Sequence, residues 1–318
     1  MAASFLDLVT PTNLAAEQVK FLDSKSYHPT FHYVWQDEPV SYHSDNPVQE
    51  QLVQAVMTQQ LPAISRLAST LFATSIDDAT ISAALHAVAN RTPHRTHGTA
   101  EEFAVLLRQA IVEFNLPYSV ELTDSAGFNA RPQHAKQIIL VSRHIHYEFF
   151  SMEGGVRHDL VHILRYLNGK QNSITRSPNY LPTEEGLASF CQDHVRGIVD
   201  NGLVQHAAEY LATNIGLHGS LRDIYDYLRS IDMSPSLAWK RAARHKFGFV
   251  DTSLPGDIIK PAMYFANEVK VQMLSAEEKL RLFVGKISLD DLPNYHKYSG
   301  LYPANQLIDY FNLQSQTL

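Results

Sequence analysis

A chain of 318 residues can bury a large core, and 45% apolar with 19% charged residues is the composition of a soluble globular protein. A formal net charge of −7 without a long basic run argues against nucleic acid or an anionic membrane surface as partner. The single cysteine, Cys191, has no partner for an internal disulfide. No window approaches the roughly 18 consecutive apolar residues of a membrane helix. The opening "MAASFLDLVTPTNLAAEQ" lacks the basic and apolar regions of a standard signal peptide, so the expected location is the cytoplasm.

Residues 1–115 are expected to form an N-terminal helical portion. A short helical pattern runs from Leu14 to Leu22, followed by the aromatic, proline-punctuated "YHPTFHYVWQDEPV". The run "NPVQEQLVQAVMTQQLPAISRLASTLF" repeats apolar residues at three and four, with Pro62 interrupting it. After the polar connector "NRTPHRTHG", the segment "TAEEFAVLLRQAIVEFN" predicts a helix with Thr99 as N-cap and Glu102 completing a capping box.

Residues 116–318 are expected to form the catalytic portion, continuous with the first. "YSVELTD" and "KQIILVSRHIHY" are rich in β-branched and aromatic residues and predict strands, joined by a loop containing Gly127, Asn129 and Pro132. Helical patterns then cover 156–168, 184–196, 203–215, 219–230, 235–245 and 257–274. Turns and a last helix follow "LFVGKISLDDLP". The fold class is α+β, mainly helical.

The chemistry concentrates in "GGVRHDLVHILRYLNGKQ". Successive helical residues turn by about 100°, so His158 and His162, four apart, share a face and can bind one Zn²⁺. Arg165 extends that face. Catalytic zinc takes three protein ligands and keeps a position open, and "TEEGLASF", with Thr183 as N-cap, begins a helix that can return Glu185 as the third. In zinc peptidases a carboxylate beside the first ligand takes the proton of the attacking water and delivers it to the leaving amine. Asp159 holds that position, one methylene shorter than the usual glutamate. In a chain with 16 histidines, such a pair also arises without metal, and the Glu185 helix is what strengthens the ligand reading.

The series "HILRYLNGKQ", "PTEEGLAS" and "LFVGKISLDDLP" resembles the DUF1704 family, which includes microtubule-associated tyrosine carboxypeptidases and bacterial proteins named for a QEGLA motif. The resemblance covers about Lys20 to Gly300. It implies a gluzincin-like zinc metallopeptidase core, with Glu185 and His162 matching the third and second ligands. The family helix carries HExxxH, so its first histidine would fall on Arg157 and its glutamate on His158. Either one residue has been lost, leaving His158 and Asp159 as ligand and base, or the site has decayed and the chain is a noncatalytic binder of peptide tails.

The resemblance also implies removal of a C-terminal residue, possibly tyrosine or another aromatic, from a peptide or protein tail. Arginine holds a terminal carboxylate through paired hydrogen bonds. The candidates are Arg165, Arg241, Arg244, Lys260 and Tyr264. Asp193 and His194 are candidate orienting partners for a ligand. Glu184 reads as a first-turn charge favoured by the helix dipole, His144 and His146 as alternating strand residues, and Cys191 as a small buried hydrophobe.

Overall fold

The computed structural model describes residues 4–90, 98–125, 128–145, 151–195 and 202–314. In chain order the helices are α1 (Phe5–Val9), α2 (Leu14–Asp23), α3 (Val34–Asp37), α4 (Pro47–Met57), α5 (Leu61–Leu71), α6 (Asp78–Ala89) and α7 (Ala100–Glu113). Strands β1 (Ser119–Thr123), β2 (Ala130–Gln133) and β3 (Ile138–Ser142) follow. The remaining helices are α8 (Met152–Gln171), α9 (Tyr180–Asp193), α10 (Gly202–His218), α11 (Leu221–Ser230), α12 (Pro235–His245), α13 (Ala262–Gln272), α14 (Ala276–Arg281) and α15 (Ala304–Phe311), with single 3₁₀ turns at Leu282–Val284 and Leu292–Asn294. The mainly helical α+β class is the one expected.

Local chemistry explains most boundaries. The Thr99 side chain accepts from Glu102 N and the Glu102 carboxylate accepts from Thr99 N, so the expected capping box opens α7. Pro62 lies in the first turn of α5, where a missing N–H costs nothing, so it starts a helix rather than breaking one. Ser151 caps α8 through Gly154 N at 2.9 Å, four residues before the expected start. Helix α9 begins at Tyr180, not at Thr183, and the Thr183 hydroxyl instead accepts from Leu289 N at 2.9 Å. The expected 257–274 helix begins at Ala262.

The sheet has the order β1-β3-β2, with β1 parallel and β2 antiparallel to β3. Part of the expected loop is therefore strand: Pro132 pairs with Ile139 on β2, at a sheet edge where a residue without N–H is tolerated. Gly127 lies outside the described residues. Strand β3 ends at Ser142, so exposed His144 follows it in a turn, and His146 lies outside the described residues. The expected same-side histidine pair is therefore not part of the strand.

The chain divides into two compact units, one of residues 1–89 and 206–263, the other of residues 90–205 and 264–318. Helix α7, grouped by sequence with the N-terminal helices, packs on β1, β3 and α8 in the second unit. Among the described residues no helix is long and apolar enough to cross a membrane.

The first unit packs Phe21, Phe31, Leu52, Ile64, Ile224, Leu228, Trp239 and Phe249 as buried apolar residues. It also buries charge. The Lys246 ammonium donates to four carbonyls, Gly216 O, Gly219 O, Leu254 O and Gly256 O, at 2.6–3.1 Å. Arg241 pairs with Glu209 at 2.8 Å, and His245 Nδ1 meets Asp257 Oδ2 at 2.8 Å.

In the second unit one hydrophobic cluster joins α7, the sheet, α8, α9 and the C-terminal elements through Phe103, Leu107, Ile139, Val141, Leu160, Leu164, Leu187, Phe190, Phe283 and Phe311. The apolar residues of α8 turn Val156, Leu160, Val161, Ile163 and Leu164 into this core, which leaves its polar stripe to α9. A Cβ on Gly186 would come within 2.6–2.7 Å of Asn267, so only glycine permits this approach of α9 to α13.

Candidate active site

Helices α8 and α9 pack along one another, and their facing polar residues meet at one place. One ligand atom from each of His158, His162 and Glu185 lies within 4.8 Å of the others. Glu185 Oε2 stands 3.5 Å from His158 Nε2 and 3.7 Å from His162 Nε2. Donors on a tetrahedral zinc at about 2.0–2.1 Å are separated by about 3.3 Å, so these two separations suit a shared cation better than they suit a hydrogen bond. The ring centroids of the two histidines are 5.1 Å apart, as the four-residue spacing on a continuous helix dictates.

Glu184 is where the sequence reading needs correction. It lies in the second turn of α9 rather than the first, and its side chain is only 3% exposed. Its Oε1 meets His162 Nδ1 at 2.9 Å and accepts from Lys286 Nζ at 2.8 Å, while Oε2 lies 3.5 Å from Arg165 Nη1. Burial on its own would raise this carboxyl; the His162 bond and the charges of His162, Arg165 and Lys286 outweigh it and hold the pKa at about 2. At His162 burial opposes the imidazolium, and Glu185 and Glu184 outweigh it and raise the pKa.

Asp159 is 8% exposed. Burial pushes its carboxyl up, and Glu185 adds to this against the pull of His158 and His162, to about 6. Around the triad, the next α8 residue on the same face, Tyr166, stacks on His134 at 3.9 Å, and the Tyr118 hydroxyl lies 2.8 Å from His134 Nδ1. Burial, reinforced by Lys286, lowers the His134 pKa to about 4, so this ring is neutral near pH 7.

Arg165, expected as a carboxylate clamp, is fully buried instead. Its guanidinium donates to Leu282 O, Gly285 O and Ile287 O at 2.6–3.0 Å, which commits it inside the chain. Arg241, Arg244 and Lys260 belong to the first unit and Tyr264 to the second. Arg241 is engaged by Glu209; Arg244, Lys260 and Tyr264 are partly exposed. The His194 ring stacks on Phe190, and its backbone carbonyl accepts from Asn312 Nδ2 at 3.3 Å. Cys191 is fully buried and burial raises its thiol pKa strongly, in keeping with a small hydrophobe.

Sequence reasoning placed His158 and His162 on one helix face because that period is local. It missed Glu184 and Lys286 because their partners come from distant stretches of the chain. The only local signal was the doubled acid "EE", which the helix-dipole reading explained without them.

Two imidazoles and a carboxylate, with a second carboxylate on the outer nitrogen of one imidazole, are a donor set that could hold a single metal ion. No family model matches the chain. It is similar to microtubule-associated tyrosine carboxypeptidase 1 of Rattus norvegicus, 28% identical over 163 residues, which is 47% of this chain and 34% of that protein. The human protein of the same name is 27% identical over 161 residues, again 47% and 34%. The chain thus spans about a third of the length of the curated relatives it matches.

Proposed function

We propose that the chain is a zinc-dependent metallocarboxypeptidase of the DUF1704 type, acting in the cytoplasm on the C-terminal residue of a peptide or protein tail. The observation that carries this reading is the convergence of His158, His162 and Glu185 from two adjacent helices. The relatives named as tyrosine carboxypeptidases supply the reaction class and an aromatic terminal residue as the first substrate to try.

Bound zinc would supply Lewis acidity toward water and the scissile carbonyl. His158, His162 and Glu185 would hold it, and Asp159 would move the proton from the attacking water to the leaving amine. The raised pKa of Asp159 favours this role, because a carboxyl that titrates nearer neutrality both takes and returns a proton readily. A terminal carboxylate needs a donor to hold it, and of the remaining sequence candidates Tyr264 is the one that belongs to the same unit as His158, His162 and Glu185.

Metal analysis of the purified chain tests the reading. About one zinc per chain is expected, and none after His158→Ala. A chain that purifies without zinc and cannot be loaded with it overturns the proposal. Zinc without hydrolysis of any C-terminal residue leaves the noncatalytic tail binder.

A further inference from the structure

The two histidines are held unequally. Among the described residues His158 Nδ1 is buried with no hydrogen-bond partner, whereas His162 Nδ1 faces Glu184 Oε1 at 2.9 Å. A carboxylate can only accept, so His162 in its neutral form carries its proton on Nδ1 and keeps Nε2, 3.7 Å from Glu185, for a ligand. Glu184 is itself braced by two cations. Lys286 Nζ donates to Oε1 at 2.8 Å, and Arg165 Nη1 approaches Oε2 at 3.5 Å. Arg165 is anchored by the carbonyls of Leu282, Gly285 and Ile287, in the same stretch that carries Lys286.

From this geometry we infer that Glu184 is a positioning residue which fixes the tautomer and ring orientation of His162 and so makes it the stronger of the two imidazole ligands. The inference rests on the zinc reading above and deepens it. Adjacent positions on α9 divide the work: Glu185 faces the metal position, and Glu184, about 100° around the helix, faces the outer nitrogen of a ligand. The two cations let a buried carboxylate stay ionised without a metal.

Two measurements test it. Zinc affinity, read by competition with a chromophoric chelator, is expected to fall about 10- to 100-fold in Glu184→Ala, and by less in Glu184→Gln, whose amide oxygen still accepts. The imidazole nitrogen shifts of metal-free wild-type protein at alkaline pH are expected to show His162 protonated on Nδ1. If Glu184→Ala does not fold, the Glu184→Gln affinity and the wild-type tautomer decide alone. A folded Glu184→Ala that binds zinc as tightly as wild type, or a His162 protonated on Nε2, overturns the assignment and leaves the zinc reading standing. Wild-type protein that takes up no zinc sinks the zinc reading and, with it, the metal-side role of Glu184.

Discussion

In the first unit buried polar side chains meet partners at hydrogen-bond distance: Lys246 on four carbonyls, Glu209 on Arg241, and Asp257 on His245 Nδ1. In the second, Glu184 is satisfied in the same way, but beside it His158, His162 and Glu185 converge at separations suited to an intervening cation. Both regions carry dense buried polarity, so density does not mark the site. The separations do: donors 3.5–3.7 Å apart are too far for a hydrogen bond yet near enough to share one ion, whereas the first unit's groups meet at 2.6–3.1 Å.

That contrast breaks first if removing a converging donor costs stability instead of metal. Glu185→Ala is expected to abolish stoichiometric zinc and hydrolysis while the metal-free protein still unfolds cooperatively in denaturant. A variant that keeps its zinc refutes the ligand assignment. Next in size, Asp159→Asn is expected to retain zinc and lose about 100- to 10,000-fold in rate, read by single-turnover hydrolysis. Hydrolysis at the wild-type rate removes Asp159 as the base.

On the other side of the comparison, Lys246→Met leaves four carbonyls without their shared donor. A loss of about 3 kcal/mol or more is expected by urea unfolding, with unchanged zinc affinity in the molecules that remain folded. A smaller effect belongs to Glu209. Burial raises its carboxyl, but Arg241, Arg244, His245 and His206 outweigh that and lower its pKa. A depressed folded pKa contributes stability that is present above the ordinary glutamate value of 4.5 and is lost as pH falls through the folded value. The acid limb of the stability curve should therefore flatten in Glu209→Gln; an unaltered limb assigns it to other carboxylates. Smallest of all, an alkylating reagent should leave Cys191 unmodified in native protein, and rapid labelling would contradict its burial.

What the sequence made legible was what repeats locally. The four-residue spacing put His158 and His162 on one face, and Thr99 with Glu102 announced α7. Two strands showed in their β-branched residues, while β2 did not, because Pro132 and its polar neighbours resemble a loop until an antiparallel partner is in place. Helix α8 starts earlier than its apolar pattern because Ser151 caps a turn containing Gly154 and Gly155, residues that pattern reading treats as breakers. Arg165 shows the limit most plainly. Its place on the metal face suggested a ligand clamp, yet its partners lie 117–122 residues further along the chain, and no local rule foresees them.

That separation also orders events in time. Both histidines and both glutamates leave the ribosome by residue 185, whereas Lys286 follows Glu184 by 102 positions. The growing chain therefore carries His158, His162 and the two glutamates well before Lys286, so of the two cations that brace Glu184 only Arg165 is present early.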